Sequence, residues 1–100
     1  MTEEPVIRAI RAIGLRMRET MEAYLYGQNH AETEAEIMRL ATEATEVSGY
    51  HDHIFQKCNV IRSHASDLHR PRKHKTSVRE IMVPIDQLEN WAPDDAVHHV

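Results

Sequence analysis

From Ile37 to Leu68, one residue in every three or four falls into a single stripe. It runs Ile37, Leu40, Ala44, Val47, His51, Ile54, Cys58, Ile61, Ala65, Leu68, with steps of three and four alternating throughout. An α-helix turns about every 3.6 residues, so such a set lies along one side of one helix. A heptad stripe of this length predicts a long helix over Ala31 to His69 that buries its seam against another helix. His51 is its one basic member and sits near its middle. In an antiparallel pair of such helices it meets its own copy near the two-fold axis. There it is expected to set register, as a buried polar residue does in other coiled coils.

Upstream, Val6, Ile10, Ile13, Met17, Met21 and Tyr24 keep a similar spacing, widened by Ile7 and Leu15. They predict a first helix over about residues 3–26, with Thr2 as its cap and Pro5 tolerated in its first turn. Gly27 predicts a left-handed stop. Asn29, with Glu32 three residues later, reads as a capping box for the next helix. So short a connection folds the two helices back on each other. The expected fold is therefore all-α: an antiparallel helical hairpin over residues 1–70 whose second arm is the longer one. The half of that arm beyond His51 then lacks a partner within the hairpin. A second chain or the C-terminal segment is expected to cover it. Ile37, Leu40, Val47, His51, Ile54, Cys58, Ile61 and Leu68 form the expected seam of a homo-oligomer. Ser48-Gly49 lies inside the stripe; a helix-interior glycine costs about 1 kcal/mol relative to alanine. It predicts a close crossing or a local kink.

Pro71 ends the long helix, because a residue before proline is driven out of the helical region. Residues 71–75 then read as a basic linker and residues 76–100 as a short irregular C-terminal arm. Within the arm, Ser77 and Glu80 suggest a helical turn near 78–82, stopped by Pro84. Ile85 to Trp91 is expected to be extended, and Pro93-Asp94-Asp95 to open another helix.

Composition narrows the class. Charged residues are 28% of the chain and only 5% are aromatic, which suits helical assembly better than a β-sandwich. No apolar run is long enough to cross a membrane. Met1 to Pro5 is acidic where a signal peptide is basic, and a lone cysteine makes no internal disulfide, so a reduced, cytoplasmic chain is expected. The net charge of −4 is unevenly spread. Residues 3–46 carry nine acids and five bases, whereas residues 57–80 carry seven bases and two acids. That polarity suits antiparallel pairing of two copies.

One stretch resembles a known family. Val78, the Ile81-Met82-Val83-Pro84 turn, the apolar run from Leu88 to Trp91, and Pro93-Asp94 leading to Val97 resemble the opening of a CBS (cystathionine β-synthase) domain. The likeness covers residues 76–97. Members of that family bind adenine nucleotides between paired modules and regulate an attached enzyme or transporter. The resemblance implies an adenine-nucleotide-responsive regulatory fragment. It extends to no nucleotide-binding residue, because the family's later strands and its Ser/Thr-x-x-Asp have no counterpart here.

Residues with chemistry of their own suggest one further class. Eight histidines are present, and His51, His53 and Glu46 are candidate ligands for a divalent metal, Zn or Fe, shared between chains. His51 and His53 are two apart and leave one helix in different directions, so such a site needs a second chain. His64, His69 and His74 recur every five residues, which matches no metal motif. Glu32 and Glu36 share a helix face, as do Glu43 and Glu46. Cys58 lies on the seam and reads as a small apolar residue. No nucleophile–base order, phosphate loop or CxxC pair is present, so no catalytic constellation is visible. The segment 70–75 could touch phosphates or an acidic protein patch. It contains no aromatic residue, so base stacking is not expected of it. The sequence thus favours a non-enzymatic oligomerisation or interaction protein, regulatory or accessory to a larger protein assembly, with neither nucleic acid nor membrane as partner.

Overall fold

The structure is a computed structural model that describes residues 3–92. Four helices follow one another: α1 (Glu3–Leu25), α2 (His30–Val47), α3 (Asp52–Ser66) and α4 (His74–Glu89). Each packs against the next, and α4 packs back against α1, while the diagonal pairs stay apart. Joined by short turns, they form an up-down-up-down bundle of 43 × 25 × 20 Å. No strand occurs among the described residues. The all-α expectation holds at that level. The hairpin with one long second arm does not: that arm is two helices, and the irregular C-terminal arm is mostly the fourth helix. Thr2, Pro93, Asp94, Asp95 and Val97, to which caps, a helix start or the CBS-like pattern were assigned, lie outside the described residues.

The expected long helix breaks at residues 48–51. Gly49 has φ 65° and Tyr50 φ 61°, both in the left-handed region. Gly49 N–H donates to the Glu46 carbonyl at 3.0 Å and Tyr50 N–H to that of Thr45 at 2.9 Å. This paired pattern closes a helix C-terminus and turns the chain. The α1–α2 connection uses the same device: Gly27 (φ 111°) donates to Tyr24 and Gln28 to Ala23, each at 3.0 Å. Asn29 then caps α2, its side chain accepting from Ala31 N–H at 2.7 Å, while the return bond from Glu32 that would complete a capping box does not form among the described residues.

After the break, α2 and α3 lie antiparallel and turn their stripes into the same core. Ile37, Leu40, Ile54, Cys58, Ile61 and Leu68 are all buried, together with Ile10, Ile13, Met17 and Met21 of α1 and Ile81, Ile85 and Leu88 of α4. Six of the eight residues expected to join two chains therefore close inside one. The other two, Val47 and His51, flank the turn and are exposed.

Pro84 was expected to stop a short turn, and Ile85 to Trp91 to be extended. Instead α4 runs through the proline to Glu89. A mid-helix proline removes a hydrogen bond and costs about 3 kcal/mol or more. Burial of Ile81, Ile85 and Leu88, at about 1.5–3 kcal/mol each, outweighs that. Trp91 follows the helix and folds over one end of the core. Its carbonyl accepts from Arg11 Nε at 2.8 Å, which ties the end of the described chain to α1.

Candidate interaction surfaces

Each helix shows one side to solvent, and α3 differs from the others in what it shows. The exposed residues of α1 include Glu4, Arg8, Arg11, Arg16, Glu19 and Glu22; those of α2 include Glu32, Arg39 and Glu46; those of α4 include Lys75, Arg79 and Asp86. Beyond its first residue, Asp52, the exposed positions of α3 are His53, Phe55, Gln56, Asn59, Val60 and Ser63. None carries a carboxylate, ammonium or guanidinium group. With 3.6 residues per turn, all six fall within about half of the helix circumference, the outward half, with His53 and Phe55 at its two edges. Phe55 is 41% and Val60 45% exposed. The charged residues of this helix lie at its flanks. Lys57 Nζ stands 5.7 Å from the centre of the Trp91 ring, a cation–π distance, and Arg62 donates to Asn59 Oδ1 at 3.0 Å. The α2–α3 turn extends the patch with Tyr50, 6.5 Å from Phe55 between ring centroids.

The expected metal ligands lie near this turn. His51 is the exposed residue just before α3, and its side chain makes no capping hydrogen bond. Its ring is 5.7 Å from that of His53 and stands edge-on to Trp91 at 5.5 Å. Glu46 is exposed in the last turn of α2. Among the described residues no three His, Cys, Asp or Glu side chains come together as a set able to hold an ion. Within one chain, then, His51 and His53 form a ring pair without Glu46.

Cys58 is buried, and burial pushes its thiol above the usual range, while the Thr45 hydroxyl and the Arg62 charge work the other way. A thiol held up in this way is neutral at pH 7 and a poor nucleophile. Its contribution to stability is full below the unfolded pKa of about 8.5 and falls as pH rises through the higher folded value. Iodoacetamide should therefore label Cys58 only as fast as the bundle opens. Rapid labelling of the native chain at pH 7.5, as fast as a free thiol, would contradict this burial.

At the opposite end, Tyr24 Oη lies 3.0 Å from His74 Nδ1, which lies 3.1 Å from the Leu68 carbonyl. A carbonyl only accepts, so the tautomer that satisfies Leu68 has its proton on Nδ1. Burial raises the Tyr24 phenol above its ordinary value. Between α1 and α4, Arg18 donates to Asp86 at 2.8 Å and makes an ion contact with Glu89. The buried Arg18 Nε and Glu89 Oε1 have no hydrogen-bond partner, so that second contact lacks hydrogen-bond alignment. An open depression of about 380 Å³ beside it is lined by Arg18, Met82, Val83, Asp86 and Gln87. Its one cation already faces two carboxylates, which leaves no charge for an anionic ligand. No helix among the described residues is long and apolar enough to cross a membrane.

No family model matches this chain, and neither the curated proteins nor the solved structures contain a significant match to it.

Proposed function

We propose that the chain is a non-catalytic helical interaction module, an accessory or regulatory subunit that pairs with a second copy through the outward side of α3. The observation that carries this is the absence of formal charge from Phe55 to Ser63 on the exposed side, in a chain that is 28% charged. Interface centres are depleted in charge and enriched in aromatic residues, and Phe55 with Tyr50 supplies both features. In an antiparallel α3–α3 pairing the axis falls near Asn59, so Phe55 of each copy meets the Ser63 end of the other, and the Arg62 side chain, which donates to Asn59 Oδ1, flanks the axis. A 15-residue helix offers less than the roughly 800 Å² per partner of a standard interface. The pairing is therefore expected to depend on concentration.

Light scattering after size exclusion, over a wide concentration range, tests this. The wild-type mass should rise from one chain to two. Phe55→Lys combined with Val60→Glu leaves the net charge unchanged and should hold the mass at one chain with the same helical circular dichroism. A wild type that stays at one chain throughout, or a double variant that still pairs, would remove the proposal.

A further inference from the structure

The end of the bundle that carries the α1–α2 and α3–α4 turns brings together two histidines from distant parts of the chain. His30 is the first residue of α2, and His69 follows the end of α3. Their rings stand 6.2 Å apart between centroids and are tilted by 30°. Both residues are exposed, and no hydrogen bond among the described residues engages either ring; the hydrogen-bonded imidazole at this end is His74. The backbone that carries each is fixed. Asn29 and Ala31, which flank His30, are joined by the capping bond at 2.7 Å. The Leu68 carbonyl, next to His69, lies 3.1 Å from His74 Nδ1 and 3.5 Å from Tyr24 Oη. Tyr24 belongs to the last turn of α1, so this contact holds one turn beside the other.

We propose that His30 and His69 together bind a divalent late transition ion, with zinc as its representative, which clips the α1–α2 turn to the α3–α4 turn. Neutral imidazole is a ligand for zinc, nickel and copper, whereas calcium and magnesium take oxygen. An ion about 2.0–2.1 Å from each ring nitrogen sets the ring centres about 5 Å apart in a tetrahedral site and about 6.4 Å apart when the two ligands lie opposite. The observed 6.2 Å falls inside that span, and a small turn of either exposed side chain reaches the tetrahedral value. Water fills the positions the two imidazoles leave open. The surrounding field is mixed. α2 presents the positive end of its dipole at His30, and α3 presents the negative end just before His69. Glu34, one turn along α2, favours a cation, Asp67 is engaged with Arg70 at 3.5 Å, and the exposed Arg72 and Lys73 oppose one. The affinity therefore comes from the ring nitrogens themselves. Because His30 and His69 are nearly forty residues apart in the chain, only the folded bundle brings them together, and binding adds to its stability. His51 and His53, 5.7 Å apart between ring centroids at the other end, are near neighbours in the unfolded chain as well, so an ion on that pair stabilises the fold little.

Thermal melting of the full chain, with zinc or nickel chloride against a magnesium control, tests the proposal. At free zinc about ten times its dissociation constant, the midpoint should rise by about 5 °C, and magnesium should leave it unmoved. His30→Ala and His69→Ala should each melt like wild type without metal and lose the rise, while His51→Ala keeps it. The rise should vanish at about pH 5, where protons displace the ion from imidazole. The unfolded chain, with eight histidines and one cysteine, also takes up zinc, so the sign of the shift is the deciding readout. The proposal fails if zinc and nickel leave the midpoint unmoved or lower it. It fails equally if either alanine variant keeps the full rise. Half an ion per chain in a calorimetric titration would replace it with a site between two copies.

Discussion

Gly14→Ala should destabilise the bundle by about 3 kcal/mol, the upper end of what overpacking usually costs. Gly14 is buried in α1 where that helix crosses the end of α4. A Cβ there would lie 2.7 Å from Glu89 Cα and 2.8 Å from the Leu88 carbonyl carbon, and against Glu89 N as well. All three atoms are backbone, so no side chain can swing aside. Either the two helices separate or α4 unwinds at its last turn, and both movements disturb Ile10, Ile13 and Leu88 in the core. Intrinsic propensity pulls the other way. Alanine is better than glycine inside a helix by about 1 kcal/mol, so an open site would be stabilised by the change. The sign of the effect therefore decides the matter. Urea unfolding followed by the fluorescence of the single tryptophan, Trp91, should show the midpoint falling. Ala12→Gly, at an exposed position of the same helix, should cost only the propensity difference. If Gly14→Ala raises the midpoint, the close crossing of α1 and α4 is wrong.

What could be read from the sequence, and what could not, divides along chain distance. Gly27 and Asn29 act within a few residues of themselves, and both ends of that turn form as their chemistry dictates. The buried stripe is likewise local, and eight of its ten residues are in the core. The partner of that stripe is not a local property. Steps of three and four continue in phase across residues 48–51, because two antiparallel helices facing one core repeat the same pattern on each side of a turn. Only Val47 and His51, where the stripe meets solvent, depart from it, and Gly49 supplies the left-handed residue the turn needs. The fourth helix was obscured by Pro84. Its apolar residues, Ile81, Ile85 and Leu88, keep helical spacing straight through the proline, and that was the signal to weigh against it. Gly14 lay beyond any local reading, because it meets backbone some 75 residues later, at the end of α4. The charge-free side of α3 was readable in principle, since Phe55, Gln56, Asn59, Val60 and Ser63 are all uncharged. It becomes meaningful only once Ile54, Cys58 and Ile61 are known to point inward.

Ile54→Ala should lower stability by about 2–5 kcal/mol, the usual cost of removing a large aliphatic side chain from a packed core. Ile54 is 1% exposed and lies in the first turn of α3, in one core cluster with α1, α2 and α4. For a domain of this size the loss corresponds to a fall in melting temperature of at least about 8 °C. Against a typical total of about 5–15 kcal/mol, the upper end of that loss would leave little folded margin. How the loss depends on concentration separates the two places this residue could be buried. If Ile54 packs between chains, the difference from wild type grows or shrinks with chain concentration, because association contributes to stability through mass action. If it packs inside one chain, the difference is the same in dilute and concentrated samples, whether or not two copies also pair through the outer side of α3 as proposed. The bundle predicts the second result: equal shifts at both ends of the concentration range. Phe55→Ala, one residue along but on the outward side, should do the reverse, changing the pairing equilibrium while leaving the melting of the dilute chain nearly unmoved. An Ile54→Ala shift that vanished on dilution would return the stripe to an interface between chains.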